Sequence, residues 1–93
     1  MLQRNNAVLW RELDGEAVLL NPEAGSSYTL NRVGTLIWKM LDGKHTPDDI
    51  ATAICQLYKV EHEQALQDVA NILADLRSNN LLNDYTSLLH SVE

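Results

Sequence analysis

Ser27-Tyr28-Thr29-Leu30-Asn31 runs directly into Arg32-Val33-Gly34-Thr35-Leu36-Ile37-Trp38-Lys39-Met40-Leu41, and Asp42-Gly43 closes the stretch. Its first part reads as a short strand, with Tyr28 and Leu30 on one face and Ser27 and Thr29 on the other. Asn31 is a favoured N-cap, and Val33, Leu36, Ile37, Met40 and Leu41 then recur at helical spacing. Gly43 suits the left-handed position that ends a helix. The strand contains no Pro, Lys, Arg, Asp or Glu. Edge strands of small sheets ordinarily carry such residues, which discourage further pairing. A bare strand at an edge is able to accept another strand.

Toward the N-terminus, Leu9–Leu13 and Ala17–Leu20 flank Asp14-Gly15, a strong hairpin signal. Asn21-Pro22-Glu23-Ala24-Gly25 is a second turn that leads to the strand around Tyr28. Together these segments predict a three-stranded antiparallel meander whose third strand is an edge. A single sheet of this size must bury one face against helices.

Toward the C-terminus, Thr46 is placed as an N-cap with Pro47 at the first helical position. Asp48 and Asp49 then meet the positive end of the helix dipole. Ile50, Ala53, Ile54, Leu57 and Tyr58 form the apolar stripe of this second helix. A third helix is expected from about His62 to Asn79, ending before Leu81-Leu82. The fold class is therefore α+β: a three-stranded antiparallel sheet followed by three helices. Tyr85, Leu88, Leu89 and Val92 are spaced i, i+3, i+4 and i+7 and suggest a short fourth helix. The expected organisation is a domain over residues 1–82 with a C-terminal extension over 83–93.

The third helix carries Ala65, Leu66, Val69, Ala70, Ile72, Leu73 and Leu76. These cover an arc of roughly 160°, wider than the stripe of about 100° that one core contact needs. One flank holds Ala65, Ile72 and Leu76, the other Leu66, Ala70 and Leu73. Either both flanks meet the domain's own core, or one of them lines a groove beside the edge strand.

Composition narrows the function. The 93 residues carry a formal charge of −6 with only 7 Lys and Arg, scattered from Arg4 to Arg77. Binding to a nucleic-acid duplex needs a clustered basic patch that replaces counterions, so neither nucleic acid nor an anionic membrane is an expected partner. One cysteine permits no internal disulfide, and Met1 to Asn6 lacks the apolar region of a signal peptide. No apolar run approaches the ~20 residues of a membrane span. A cytoplasmic protein is the expectation.

No catalytic constellation emerges. Cys55 lies beside an apolar helical stripe and reads as an inert packing residue. His45, His62 and His90 form no ligand-spaced pair with each other or with Cys55, so no metal site is expected. Asp48 and Asp49 are accounted for by capping. The four glycines make no phosphate-cradling loop. Trp10 and Trp38 read as core or core-edge residues. Neither an enzyme nor a cofactor is expected.

The order of elements resembles the PqqD family. The resemblance is carried by Asp14-Gly15-Glu16-Ala17-Val18-Leu19-Leu20-Asn21-Pro22-Glu23, Gly25, Tyr28-Thr29-Leu30-Asn31, Gly34, Ile37-Trp38 and Leu41-Asp42-Gly43. It continues through Thr46-Pro47, Ile50, Leu57-Tyr58, Val60, Asp68-Val69, Leu73, Leu76 and Leu81-Leu82. It covers roughly residues 8 to 82. The resemblance implies a winged helix-turn-helix-like fold and a role as a RiPP recognition element. Such a protein binds the leader of a ribosomal precursor peptide and presents it to a modifying enzyme, often a radical SAM protein. Carried onto this chain, the leader adds as a strand beside Ser27, Tyr28, Thr29 and Leu30, against one flank of the third helix. The residues assigned to that flank are Leu66, Val69, Ala70 and Leu73. The resemblance is to the broad family, so pyrroloquinoline quinone biosynthesis is one pathway among several.

Two other readings stand beside the adaptor. A winged-helix nucleic-acid binder would read bases with its third helix. The polar face there offers Gln67, Asp68, Asn71 and Asp75, with Arg77 the only base, and its carboxylates repel phosphate. A self-associating module would pair two copies through the edge strand or the tail, giving a homodimer by exchange.

Overall fold

The computed structural model describes residues 2–84, in the order β1 (Leu2–Arg4), β2 (Leu9–Leu13), β3 (Glu16–Asn21), β4 (Ser26–Thr29), α1 (Arg32–Lys39), α2 (Pro47–Tyr58), α3 (His62–Ser78) and β5 (Leu82–Asp84). The expected meander is present: β2, β3 and β4 form an antiparallel sheet in that order. Leu13 pairs with Glu16 across a two-residue turn in which Asp14 and Gly15 have φ of 53° and 80°. Two consecutive positive φ values give the type I′ twist that matches the strands, which is why Asp-Gly stands there.

Side-chain caps set the helix starts. Asn31 Oδ1 accepts the Gly34 N–H at 2.8 Å. Thr46 Oγ1 accepts from the Asp49 N–H, while Asp49 Oδ2 accepts from the Thr46 N–H, a closed capping box behind Pro47. At the end of α3, Asn80 takes φ 58°. Its N–H donates to the Arg77 carbonyl, and the Leu81 N–H reaches the Leu76 carbonyl. That paired arrangement is a Schellman stop with Leu76 and Leu81, both buried, as its apolar contact.

The core is continuous, with Leu19, Ile37, Trp38, Leu41, Ile50, Ile54, Val69 and Leu76 fully buried. Gly34 permits the approach of α1 to β4, because a Cβ there would stand 3.0 Å from Leu30 Cδ2. Thr35 completes the junction. The Ala17 N–H donates to Thr35 Oγ1 at 2.8 Å, and that hydroxyl donates to the Leu30 carbonyl at 3.3 Å. A buried side chain thus replaces one rung of the β3–β4 ladder.

Three features depart from the expectation or add to it. Leu2–Arg4 and Leu82–Asp84 form a second, two-stranded antiparallel sheet. β5 thereby carries ordered pairing past residue 82. Secondly, α1 ends at Lys39 with Met40 as a right-handed C-cap, so Gly43 is not its terminator. Gly43 has φ +82° in the following connection, where its N–H donates to the Leu2 carbonyl, and so serves to dock β1. Thirdly, the outer face of the sheet is apolar: Leu9, Leu13, Val18 and Leu20 are 60, 59, 39 and 42% exposed. The expected fourth helix at Tyr85 to Val92 lies outside the described residues. Among the described residues, no helix is long and apolar enough to cross a membrane.

Candidate functional site

β4 pairs with β3 on one side, and among the described residues it has no strand on the other. Its register fixes which groups face the open side. The Leu30 N–H donates to the Ala17 carbonyl, and Tyr28 stands opposite Leu19. Antiparallel ladders alternate, so Tyr28 turns its main-chain groups toward β3. Ser27 and Thr29 therefore direct their N–H and C=O groups outward, two donors and two acceptors on a four-residue strand. Both side chains are exposed and uncharged.

Tyr28 points to the inner face, where it is half-buried and packs against the core. Its hydroxyl donates to Asp75 Oδ2 of α3 at 3.3 Å. Burial raises the pKa of the phenol above its ordinary value, and the Asp75 carboxylate raises it further. This exposed contact joins α3 to the strand. Farther along, Asn31 and Val33 at the start of α1 approach Asp68, Asn71 and Ile72 of α3 around a cleft of about 250 Å³. Asp68, Asn71, Ile72 and Asp75 are spaced i, i+3, i+4 and i+7 and form the wall of α3 on the β4 side.

The residues expected at this site are distributed differently. Ser27, Tyr28 and Thr29 belong to β4. Leu30 lies just beyond the strand and is 2% exposed, a core residue held by Gly34 and Thr35. Val69 and Leu73 are buried in the core, and Leu66 is half-buried against it. Ala70 is exposed, about 160° around the helix from Ile72. The flank that meets the β4 side is thus the one with Ile72, and its neighbours are polar. The spacing of Asp68, Asn71, Ile72 and Asp75 is visible in the sequence, but only the tertiary placement of α3, marked by the Tyr28–Asp75 contact, decides which flank faces β4.

His45 Nδ1 lies 2.9 Å from Asp42 Oδ1 and His62 Nε2 lies 3.1 Å from Asp48 Oδ1. Hydrogen bonds from the Lys44 N–H and the His45 ring lower the pKa of Asp42. Among the described residues no group of His, Cys, Asp and Glu is arranged to hold a metal ion.

The family profile described as Coenzyme PQQ synthesis protein D (PqqD) matches residues 16–82. A search of curated proteins finds no match. Among solved structures, TbiB1 in complex with the TbiA(beta) leader peptide is 32% identical, with a TM-score of 0.82, covering 89% of this chain and 96% of that one. A lasso peptide synthetase B1 complexed with the leader peptide is 26% identical, with a TM-score of 0.80 and coverages of 89% and 98%. The PqqD truncation of Methylobacterium extorquens PqqCD, described as a functional and stand-alone RiPP recognition element, is 25% identical. Its TM-score is 0.74 and the coverages are 89% and 88%. The profile spans most of the sheet and all three helices, and the chain belongs to the PqqD family.

Proposed function

We propose that this chain is a non-catalytic peptide-binding adaptor. It takes the leader of a ribosomally made precursor as an added strand on β4 and presents the remainder to a peptide-modifying enzyme, such as a radical SAM protein. The observation that carries this reading is the open side of β4, where Ser27 and Thr29 offer main-chain donors and acceptors beside α3. β-augmentation uses such groups for register and affinity, and takes specificity from the pockets under alternate side chains. The leader-bound relatives support the choice of peptide class.

The test is titration of synthetic leader peptides, taken from any short precursor encoded beside this chain's gene and from the precursors of the leader-bound relatives, while backbone amide shifts are followed. Saturable changes at residues 26–29 and 68–75 are expected. A leader that binds without shifting β4 would remove the proposed mode.

Self-association draws on a different observation, the exposed apolar outer face of the sheet. Patches of this kind commonly mark protein–protein contacts. Sedimentation across a concentration series reads it directly. A mass that stays at the 10.5 kDa of one chain discards it.

A further inference from the structure

The cleft between Asn31, Val33, Asp68, Asn71 and Ile72 has a divided chemistry. Val33 and Ile72 are half-buried, pack against the core and supply apolar surface. Asp68 is half-buried at the same cleft, and its Oδ1 accepts from Gln64 Nε2 at 3.1 Å. Among the described residues, no Lys or Arg forms an ion pair with Asp68 or with Asp75. The Asn71 amide adds a carbonyl oxygen, which accepts hydrogen bonds, while that of Asn31 is already engaged by the Gly34 N–H.

We propose that this cleft is the subsite for one lysine or arginine side chain of the bound peptide, a conclusion that rests on strand addition at β4. The aliphatic stem lies on Val33 and Ile72, and the cationic head meets Asp68. Long basic side chains are built for such a site, apolar along the stem and charged at the tip. The alternatives fit worse. An apolar side chain would cover a carboxylate without compensating it. An acidic one would meet Asp68 and Asp75 on a chain of net charge −6. Alternate residues of an added strand face the same way about 7 Å apart, so the position that reaches the cleft is found by testing each in turn.

The test uses the full chain and a synthetic nonapeptide library in which each position in turn is lysine, arginine, norleucine or glutamate. Affinity is read by fluorescence anisotropy, and the site by amide shifts. Lysine or arginine at one position is expected to bind about tenfold tighter than norleucine there, as a charge-assisted hydrogen bond provides. Asp68→Asn should reduce that preference to about twofold, and Asp68→Lys should transfer it to glutamate at the same position. Norleucine preferred at every position, or a basic preference that survives Asp68→Asn, overturns the subsite. If shifts at residues 26–29 persist in that case, strand addition stands and only the subsite falls. Peptides that bind without shifting β4, or no binding by any peptide, overturn both.

Discussion

The two edges of the three-stranded sheet are made of different material. On β2, the ladder alternation turns the main chain of Trp10 and Glu12 away from β3. That edge is crowded. Trp10 stacks edge-on against Trp38 with ring centroids 6.1 Å apart, and the Arg4 guanidinium lies 5.6 Å from the Trp10 ring. Lys39 Nζ of α1 reaches Glu12 Oε1 at 3.0 Å. On β4 the outward groups belong to Ser27 and Thr29, which bring no charge and little bulk. Charge and bulk at one edge and their absence at the other make β4 the edge that the proposed strand addition would use.

The strongest way to break this contrast is to detach β4 from β3. Thr35→Val keeps the volume but removes the hydroxyl that joins the Ala17 N–H to the Leu30 carbonyl. Two buried backbone groups then lose their partner, at about 1–3 kcal/mol each before relaxation. Unfolding in urea should show a loss of about 2–4 kcal/mol. Hydrogen exchange should accelerate at Ala17 and across β4 before it does in the middle of β2.

A milder change removes only the outward donor. Thr29→Pro deletes an N–H that takes no part in the β3 ladder, and edge positions tolerate proline. Peptide affinity should fall about 10- to 100-fold, the equivalent of roughly 1.4–2.8 kcal/mol, with little change in thermal stability. Glu12→Pro makes the matched deletion on β2 and should leave affinity unaltered. Equal losses from both variants would erase the distinction between the edges.

Asp75→Asn probes the contact that joins α3 to β4. The phenol of Tyr28 has its pKa raised first by burial and then by Asp75. The neutral form is therefore the one favoured on folding. Its contribution to stability is complete below the unfolded-state pKa of about 10 and is lost as pH rises through the higher folded value. Asp75→Asn should lower the folded value toward the ordinary one without abolishing the shift. Ultraviolet difference titration against Tyr28→Phe measures it.

The parts legible in the sequence are those set within a few residues. Asp14-Gly15, the Asn31 cap, the Thr46–Asp49 box and the apolar stripes each depend on neighbours in the chain. The parts that were not legible join residues far apart. β1 and β5 have three residues each, too few to show a period, and their pairing links the two ends of the described chain. Leu30 continues the alternation of β4, yet close packing beside Gly34 draws it into the core. The wide arc of α3 signals more than one contact, but only the tertiary contacts of Asp75 with Tyr28 and of Ile72 with the Asn31–Val33 cleft assign Ile72, rather than Ala70, to the β4 side.

The smallest effect concerns the ion pair at the β2 edge. Lys39 and Glu12 have side chains 49 and 36% exposed, so water and salt screen their attraction. Exposed pairs of this kind contribute about 0.2–1 kcal/mol. A double-mutant cycle with Lys39→Ala and Glu12→Ala should return a coupling in that range, and it should shrink as salt is added. Their larger effect lies at the edge: the pair puts two charges at Glu12, a residue whose N–H faces away from β3. Removing both should therefore increase exchange between the β2 edge and an added peptide, even though the fold barely notices. If the double variant gains a second, weaker peptide site with amide shifts at Trp10 and Glu12, side-chain chemistry is what separates the two edges. If β2 stays silent, the Trp10 stack alone closes it.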